Sequence, residues 1–139
     1  MNVRLCLNVT DYLVEIDNNE WVDKKIKSLL DRCTELHADQ VTFRKMWSCV
    51  GTPEQRWIEE NCKNSDIIIN TIKALVKSRG SLINKLPYGA LRYDYNGFSI
   101  VVDTDSMAKD ETNVATKYYI IRENGKMYSS WDSKASLVF

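Results

Sequence analysis

The stretch Leu91-Arg92-Tyr93-Asp94-Tyr95-Asn96-Gly97-Phe98-Ser99-Ile100-Val101-Val102 decides the fold class of this chain. Leu91, Tyr93 and Tyr95 alternate with Arg92 and Asp94, and Phe98, Ile100 and Val102 share one face after Asn96-Gly97. A period of two marks strands. Asn-Gly fills the two left-handed positions of a type I′ turn, whose twist matches that of the strands it joins. A two-residue turn here pairs 95 with 98, 93 with 100 and 91 with 102. All six apolar side chains then fall on one side of the sheet, so the turn chemistry and the hydrophobic pattern agree.

Asn124-Gly125 repeats the device, with Tyr118, Tyr119, Ile120 and Ile121 before it and Met127, Tyr128 and Trp131 after it. The same register sets Glu123 opposite Lys126 and Lys117 opposite Asp132, both pairs of opposite charge. Two such hairpins predict a four-stranded antiparallel meander over about 88–132.

Upstream the period lengthens. Val22, Ile26, Leu29, Leu30, Cys33 and Leu36 form one helical face, with Asn18 or Asn19 as N-cap. Asp39 is a candidate cap for a short second helix burying Phe43, Met46, Trp47 and Val50 and ending at Gly51. Thr52-Pro53-Glu54-Gln55 carries a capping box with proline at N1, opening a third helix that buries Trp57, Ile58 and Cys62. Ser65 opens a fourth, with Ile68, Ile72, Leu75 and Val76 inward and Gly80 as its stop. Residues 3–9 alternate Val3, Leu5, Leu7 and Val9 with polar positions and read as a strand. The expected fold is therefore α+β in one domain, 1–139: an N-terminal strand, about four helices over about 18–80, then the meander.

Composition bounds the function. The chain has 139 residues, 44% hydrophobic and 27% charged, with 19 basic and 19 acidic side chains. That is ordinary globular usage and excludes a disordered tail or a disulfide-dense scaffold. Zero net charge argues against a dedicated nucleic-acid coat and against long-range steering. The longest aliphatic run, Ile67-Ile68-Ile69, is far from membrane-spanning length, and the N-terminus lacks a continuous apolar signal region. A cytoplasmic location follows as the expectation, with Cys6, Cys33, Cys49 and Cys62 as reduced thiols. Eleven Asn residues and Lys/Ile/Asn-rich stretches suit the AT-rich coding typical of phages and mobile elements.

Catalytic signatures are scarce. Cys33 and His37 stand i, i+4, but Cys49 and Cys62 lack the close pairing of a structural zinc site. No metal site and no cofactor are expected. Asp103, Asp105, Asp110 and Glu111 lack the glycine and closing glutamate of a calcium loop and read as a solvated connection. No Walker loop, dinucleotide fingerprint or serine elbow is present.

Two features remain. From Ile67 to Tyr93 there is no acidic residue, while Lys73, Lys77, Arg79, Lys85 and Arg92 are all basic. The second hairpin is aromatic on both faces, with Tyr118 and Trp131 on one side and Tyr119 and Tyr128 on the other. Lys73, Lys77, Lys85, Arg92, Tyr118, Tyr119, Tyr128 and Trp131 are accordingly the candidate binding residues. They point first to a non-enzymatic inhibitor or adaptor, of the kind phages and mobile elements encode. Such a protein binds a host protein or complex stoichiometrically, with nucleic acid as a further partner for the basic strip and homodimerisation as an option for the aromatic face. One alternative is a small metal-independent ribonuclease using Arg92, Lys85, Tyr93 and Tyr95. The other is a nucleotide-sequestering protein that holds its ligand between basic and aromatic side chains.

Overall fold

The computed structural model describes residues 3–14, 22–48, 51–86, 89–104, 119–121, 123–128 and 138. The chain divides into two compact units, Met1–Met107 and Ala108–Phe139. The first unit contains β1 (Arg4–Val9), α1 (Val22–Glu35), β2 (Gln40–Lys45), α2 (Pro53–Asn61), α3 (Ser65–Arg79), β3 (Ser81–Lys85), β4 (Leu91–Tyr95) and β5 (Phe98–Asp103). The second contains β6 (Ile120–Ile121) and β7 (Met127–Tyr128).

The fold is α+β, but its sheet is mixed, five strands in the order β1-β2-β5-β4-β3. Of the expected four-stranded meander only the first hairpin, β4 and β5, belongs to it. β3, β4 and β5 run antiparallel, and β5 then pairs in parallel with β2, which pairs in parallel with β1. Parallel neighbours need a crossover, and α1 supplies the one between β1 and β2. α3 lies across the sheet and touches all five strands, while α1 packs on α3. The core between them holds Ile26, Leu30, Val41, Phe43, Ile68, Ile72, Val76 and Ile100, each with no exposed surface.

Three helices are present among the described residues, not four. Gln40–Lys45, expected to be helical, is β2. Its Val41 and Phe43 alternate with Gln40, Thr42 and Arg44, and pairing on both sides satisfies the backbone of this segment. The spacing of Phe43, Met46 and Trp47 fits a helical face only if those pairings are ignored. Asp39 therefore caps no helix. Its backbone N–H donates to the Val3 carbonyl at 2.9 Å, its side chain accepts from Val3 N–H, and its carbonyl accepts from Ser99 N–H at 3.0 Å. One residue thus sets the register of three strands.

α1 is stopped two residues past Glu35 by His37, whose φ of 52° places it in the left-handed region a glycine usually fills. Ala38 N–H reaches back to the Cys33 carbonyl at 3.1 Å, closing the Schellman pattern. α2 starts as expected: Thr52 Oγ1 accepts from Gln55 N–H at 3.2 Å, and Gln55 Oε1 accepts from Gly51 N–H. Of the side chains expected to be buried only Cys62, at its C-cap, is buried; Ile58 is half-buried. None of the residues of α2 itself is buried, and Trp57 is 46% exposed.

The first hairpin follows its expected register, Tyr95 opposite Phe98 and Tyr93 opposite Ile100. Asn96 and Gly97 both have positive φ, 51° and 88°, as a type I′ turn demands. Tyr95 and Phe98 meet edge to face at 5.9 Å. β3 is a strand the sequence pattern does not announce, with all five residues exposed at the sheet edge.

The second hairpin is shifted by one residue. Ile120 lies opposite Tyr128 and Ile121 opposite Met127, as a two-stranded ladder outside the five-stranded sheet. The Glu123–Lys126 pairing therefore does not form as a two-residue turn would set it, and Lys117 and Asp132 lie outside the described residues. Only Gly125 has positive φ here, at 74°. Asn124 instead accepts a hydrogen bond from Lys126 N–H through its side chain at 3.0 Å, an Asx turn. A one-residue slip exchanges faces. Tyr128 is buried beside Ile120, while Tyr119 is 58% exposed and Ile121 71% exposed.

No helix among the described residues is long and apolar enough to cross a membrane.

Candidate functional site

α3 is a four-turn amphipathic helix. Ile68, Ile69, Ile72 and Val76 are buried, which leaves Lys73 and Lys77 one turn apart on its exposed side. On β4, alternation sends Tyr93 and Tyr95 toward α3 and Arg92 to the opposite face of the sheet. Tyr95 lies deep in the core at 2% exposure, whereas Tyr93, nearer the end of the ladder, is half-buried.

Between α3 and the β4–β5 ladder lies a cavity of about 510 Å³. Lys73, Lys77 and Tyr93 line it, with Val76, Leu91 and Val102 as apolar wall and the Gly89-Ala90 backbone at its rim. Asp103 and Thr104 close one side, and Asp103 stands 3.9 Å from Arg44 Nε. Neither lysine makes an ion pair with a described residue.

Lys85 is not among the cavity's lining residues, but its stem passes the rim residue Gly89. A Cβ built on Gly89 would lie 3.9 Å from Lys85 Cε, so the lysine stem runs along that glycine. Gly89 has φ of +95°, and its N–H donates to the Leu86 carbonyl at 3.1 Å. Leu86 N–H in turn donates to the Ala90 carbonyl at 2.7 Å.

The cavity gathers two of the eight candidate binding residues, Lys73 and Lys77, and adds Tyr93 from the ribonuclease set and Asp103 from the acidic cluster; Lys85 is not in its lining. Arg92 is separate: it faces the other side, where its Nε is buried with no hydrogen-bond partner among the described residues. Tyr119 and Tyr128 belong to the second unit, and Tyr118 and Trp131 lie outside the described residues. The ribonuclease set is dispersed, because Tyr95 is core, Arg92 is across the sheet, and of the four only Tyr93 lines the cavity.

Among the described residues no three His, Cys, Asp or Glu side chains are grouped to hold a metal. Cys33 is buried and His37 is exposed beyond the helix end, so their i, i+4 spacing forms no chelate; Cys49 lies outside the described residues. Burial pushes the Cys33 thiol pKa up, and burial together with nearby Asp11 does the same at Cys62. Both thiols are therefore held protonated, which is the wrong direction for a nucleophile.

No protein-family model, curated protein or solved structure matches this chain.

Proposed function

We propose that this is a non-catalytic binding protein that holds a small phosphate-bearing molecule of nucleotide size in the α3–β4–β5 cavity. The observation that carries the reading is the convergence of Lys73, Lys77 and Tyr93 on one concavity of about 510 Å³. Small-molecule pockets fall in the range of roughly 300–1,000 Å³, with apolar walls and a few placed polar groups. This volume is far more than one phosphate fills. The wall of Val76, Leu91, Val102 and the Tyr93 ring supplies the surface for an apolar or aromatic body beside the charged group. The dispersal of the ribonuclease set supports binding over catalysis.

The test is mass spectrometry of small molecules released when the purified protein is denatured. A nucleotide near one per chain, lost from the Lys73→Ala/Lys77→Ala variant, supports the reading. A chain that carries none, and binds no added nucleotide at millimolar concentration, refutes it.

A second reading, a stoichiometric inhibitor or adaptor acting on a host macromolecule, draws support from a different surface. Tyr12 is 75% exposed, and its hydroxyl donates to Asn61 Oδ1 at 2.7 Å. Asn61 Nδ2 in turn donates to the carbonyl of half-exposed Trp57 at 2.7 Å. The Tyr12 ring, held by its hydroxyl, loses little entropy on docking, and Trp57 lies exposed beside the same asparagine. Reconstitution with a purified co-captured protein at fixed stoichiometry, abolished by Tyr12→Ala or Trp57→Ala, would establish it.

A further inference from the structure

The five-stranded sheet has two edges, β1 and β3, and they show different surfaces. On β1 the exposed residues are Arg4, Cys6 and Asn8, while Leu5 and Leu7 pack against the core. On β3 every residue is exposed, with Leu82 at 57% and Ile83 at 45%. β3 pairs only with β4, so its outer N–H and C=O groups are unpaired among the described residues. An open edge that also shows apolar side chains is a template for a further strand.

The charge around this edge selects among strands. Arg79 closes α3 two residues before Ser81, and Lys85 ends β3. Both are exposed, and neither makes an ion pair with a described residue. No acid occurs from Ile67 to Tyr93. β4 adds one acid, Asp94 opposite Ser81, and one base, Arg92 opposite Asn84, so the edge stays net positive among the described residues. A second copy would bring the same cations to the same edge, and like charges across a strand pair disfavour it. The register shift at Ile83 also interrupts the flat edge that pairing of two copies would need. Nucleic acid would answer the charge but leave the backbone groups, Leu82 and Ile83 unused.

We infer that the β3 edge takes an extended peptide by strand addition, one with apolar side chains at its centre and acidic side chains at its ends. Backbone hydrogen bonds to β3 supply the pairing. Leu82 and Ile83 meet the apolar side chains, and Arg79 and Lys85 meet the carboxylates. These two cations bracket five strand residues, roughly 17 Å of chain, which sets the spacing of the acids.

The test is selection from a displayed library of random peptides, about ten residues long, on the immobilised full chain, then fluorescence anisotropy of the selected peptide. The expected sequence has an apolar centre and acidic ends. Two N-methylated versions, one on the odd and one on the even backbone nitrogens, keep every side chain and charge. The set that faces β3 should weaken binding about tenfold or more, and the other about twofold or less. Arg79→Gln/Lys85→Gln changes only exposed positions and should weaken binding about fivefold at low salt, and less at high salt. Amide exchange should slow at Ser81–Lys85 and stay unchanged at Arg4–Val9. Equal effects of the two N-methylated sets, selected peptides without acids, or no selected peptide overturn the inference. A dimer that Leu82→Lys abolishes also overturns it and gives the edge to a second copy. A single-stranded RNA oligonucleotide that binds more tightly than any selected peptide and protects the same amides overturns it in favour of nucleic acid.

Discussion

Gly80 follows α3 directly, and its N–H donates to the Val76 carbonyl at 2.8 Å. Its φ of −102° is open to any residue, so conformation does not explain the glycine. Space does. A Cβ there would stand 2.6 Å from the Asp94 carbonyl oxygen and 2.7 Å from that of Val76. Both are backbone atoms and cannot rotate away. Gly80→Ala should lower stability by about 1–3 kcal/mol, read as a lower urea midpoint, because it forces α3 off β4. The cysteines give a second prediction at this scale. Cys6 is exposed, while Cys33 and Cys62 are buried with raised thiol pKa values. Cys6 should alkylate before Cys33 and Cys62 in the native protein, as read by peptide mass spectrometry. A raised thiol pKa also means that the unfolded chain loses its proton first as pH rises. The two thiols then contribute their stability in full below the ordinary value near 9 and lose it above. Unfolding midpoints should fall above that pH, less steeply in Cys33→Ala.

The two Asn-Gly turns are the same dipeptide in different elements. Asn96 is left-handed and bonds to nothing with its side chain that the turn requires, so Asn96→Gly should be nearly neutral. Asn124 holds its turn through its side chain, accepting from Lys126 N–H and donating to the Tyr128 hydroxyl at 2.9 Å. Asn124→Gly should therefore loosen the β6–β7 ladder, seen as faster amide exchange of Met127 and Tyr128. Local sequence announces an Asn-Gly turn in both cases. Whether the asparagine acts through its backbone or its side chain decides the register, and that depends on what lies within its reach. α2 shows a similar division. Its start is legible in Thr52, Pro53 and Gln55, while its failure to bury Trp57 is not. Because α2 buries none of its residues, Thr52→Ala should cost about 1 kcal/mol locally. The expected sign is roughly fivefold faster exchange of the first amides of α2, with the core of the first unit unchanged.

At the scale of the whole molecule, β2 is the strand the rest of the first unit is built around. It pairs with β1 on one side and β5 on the other, and Phe43 at its centre has no exposed surface. Phe43→Ala should cost about 3–5 kcal/mol, a large share of the roughly 5–15 kcal/mol a domain holds, and be read as a collapse of the cooperative transition in urea. The cavity is a product of the same scale. Lys73 and Lys77 are legible as a basic helix face, and Tyr93 as one strand alternation among several. Their meeting depends on α3 lying across a sheet whose strand order places β4 and β5 beneath its second half.

By itself the sequence determined α1, α2 and α3, β1 and the β4–β5 hairpin, because capping, period and turn chemistry act over a few neighbouring residues. It also marked Lys73, Lys77 and Lys85 as a run unopposed by acids. Tertiary structure alone decided that Gln40–Lys45 is a strand, that Ser81–Lys85 joins the sheet edge, that Arg92 leaves the basic group, and that Tyr93 enters it. Each of these rests on pairing between segments far apart in the chain. A strand's hydrogen bonds are made to its neighbours, so its identity, and the face each side chain takes, exist only once those neighbours are in place.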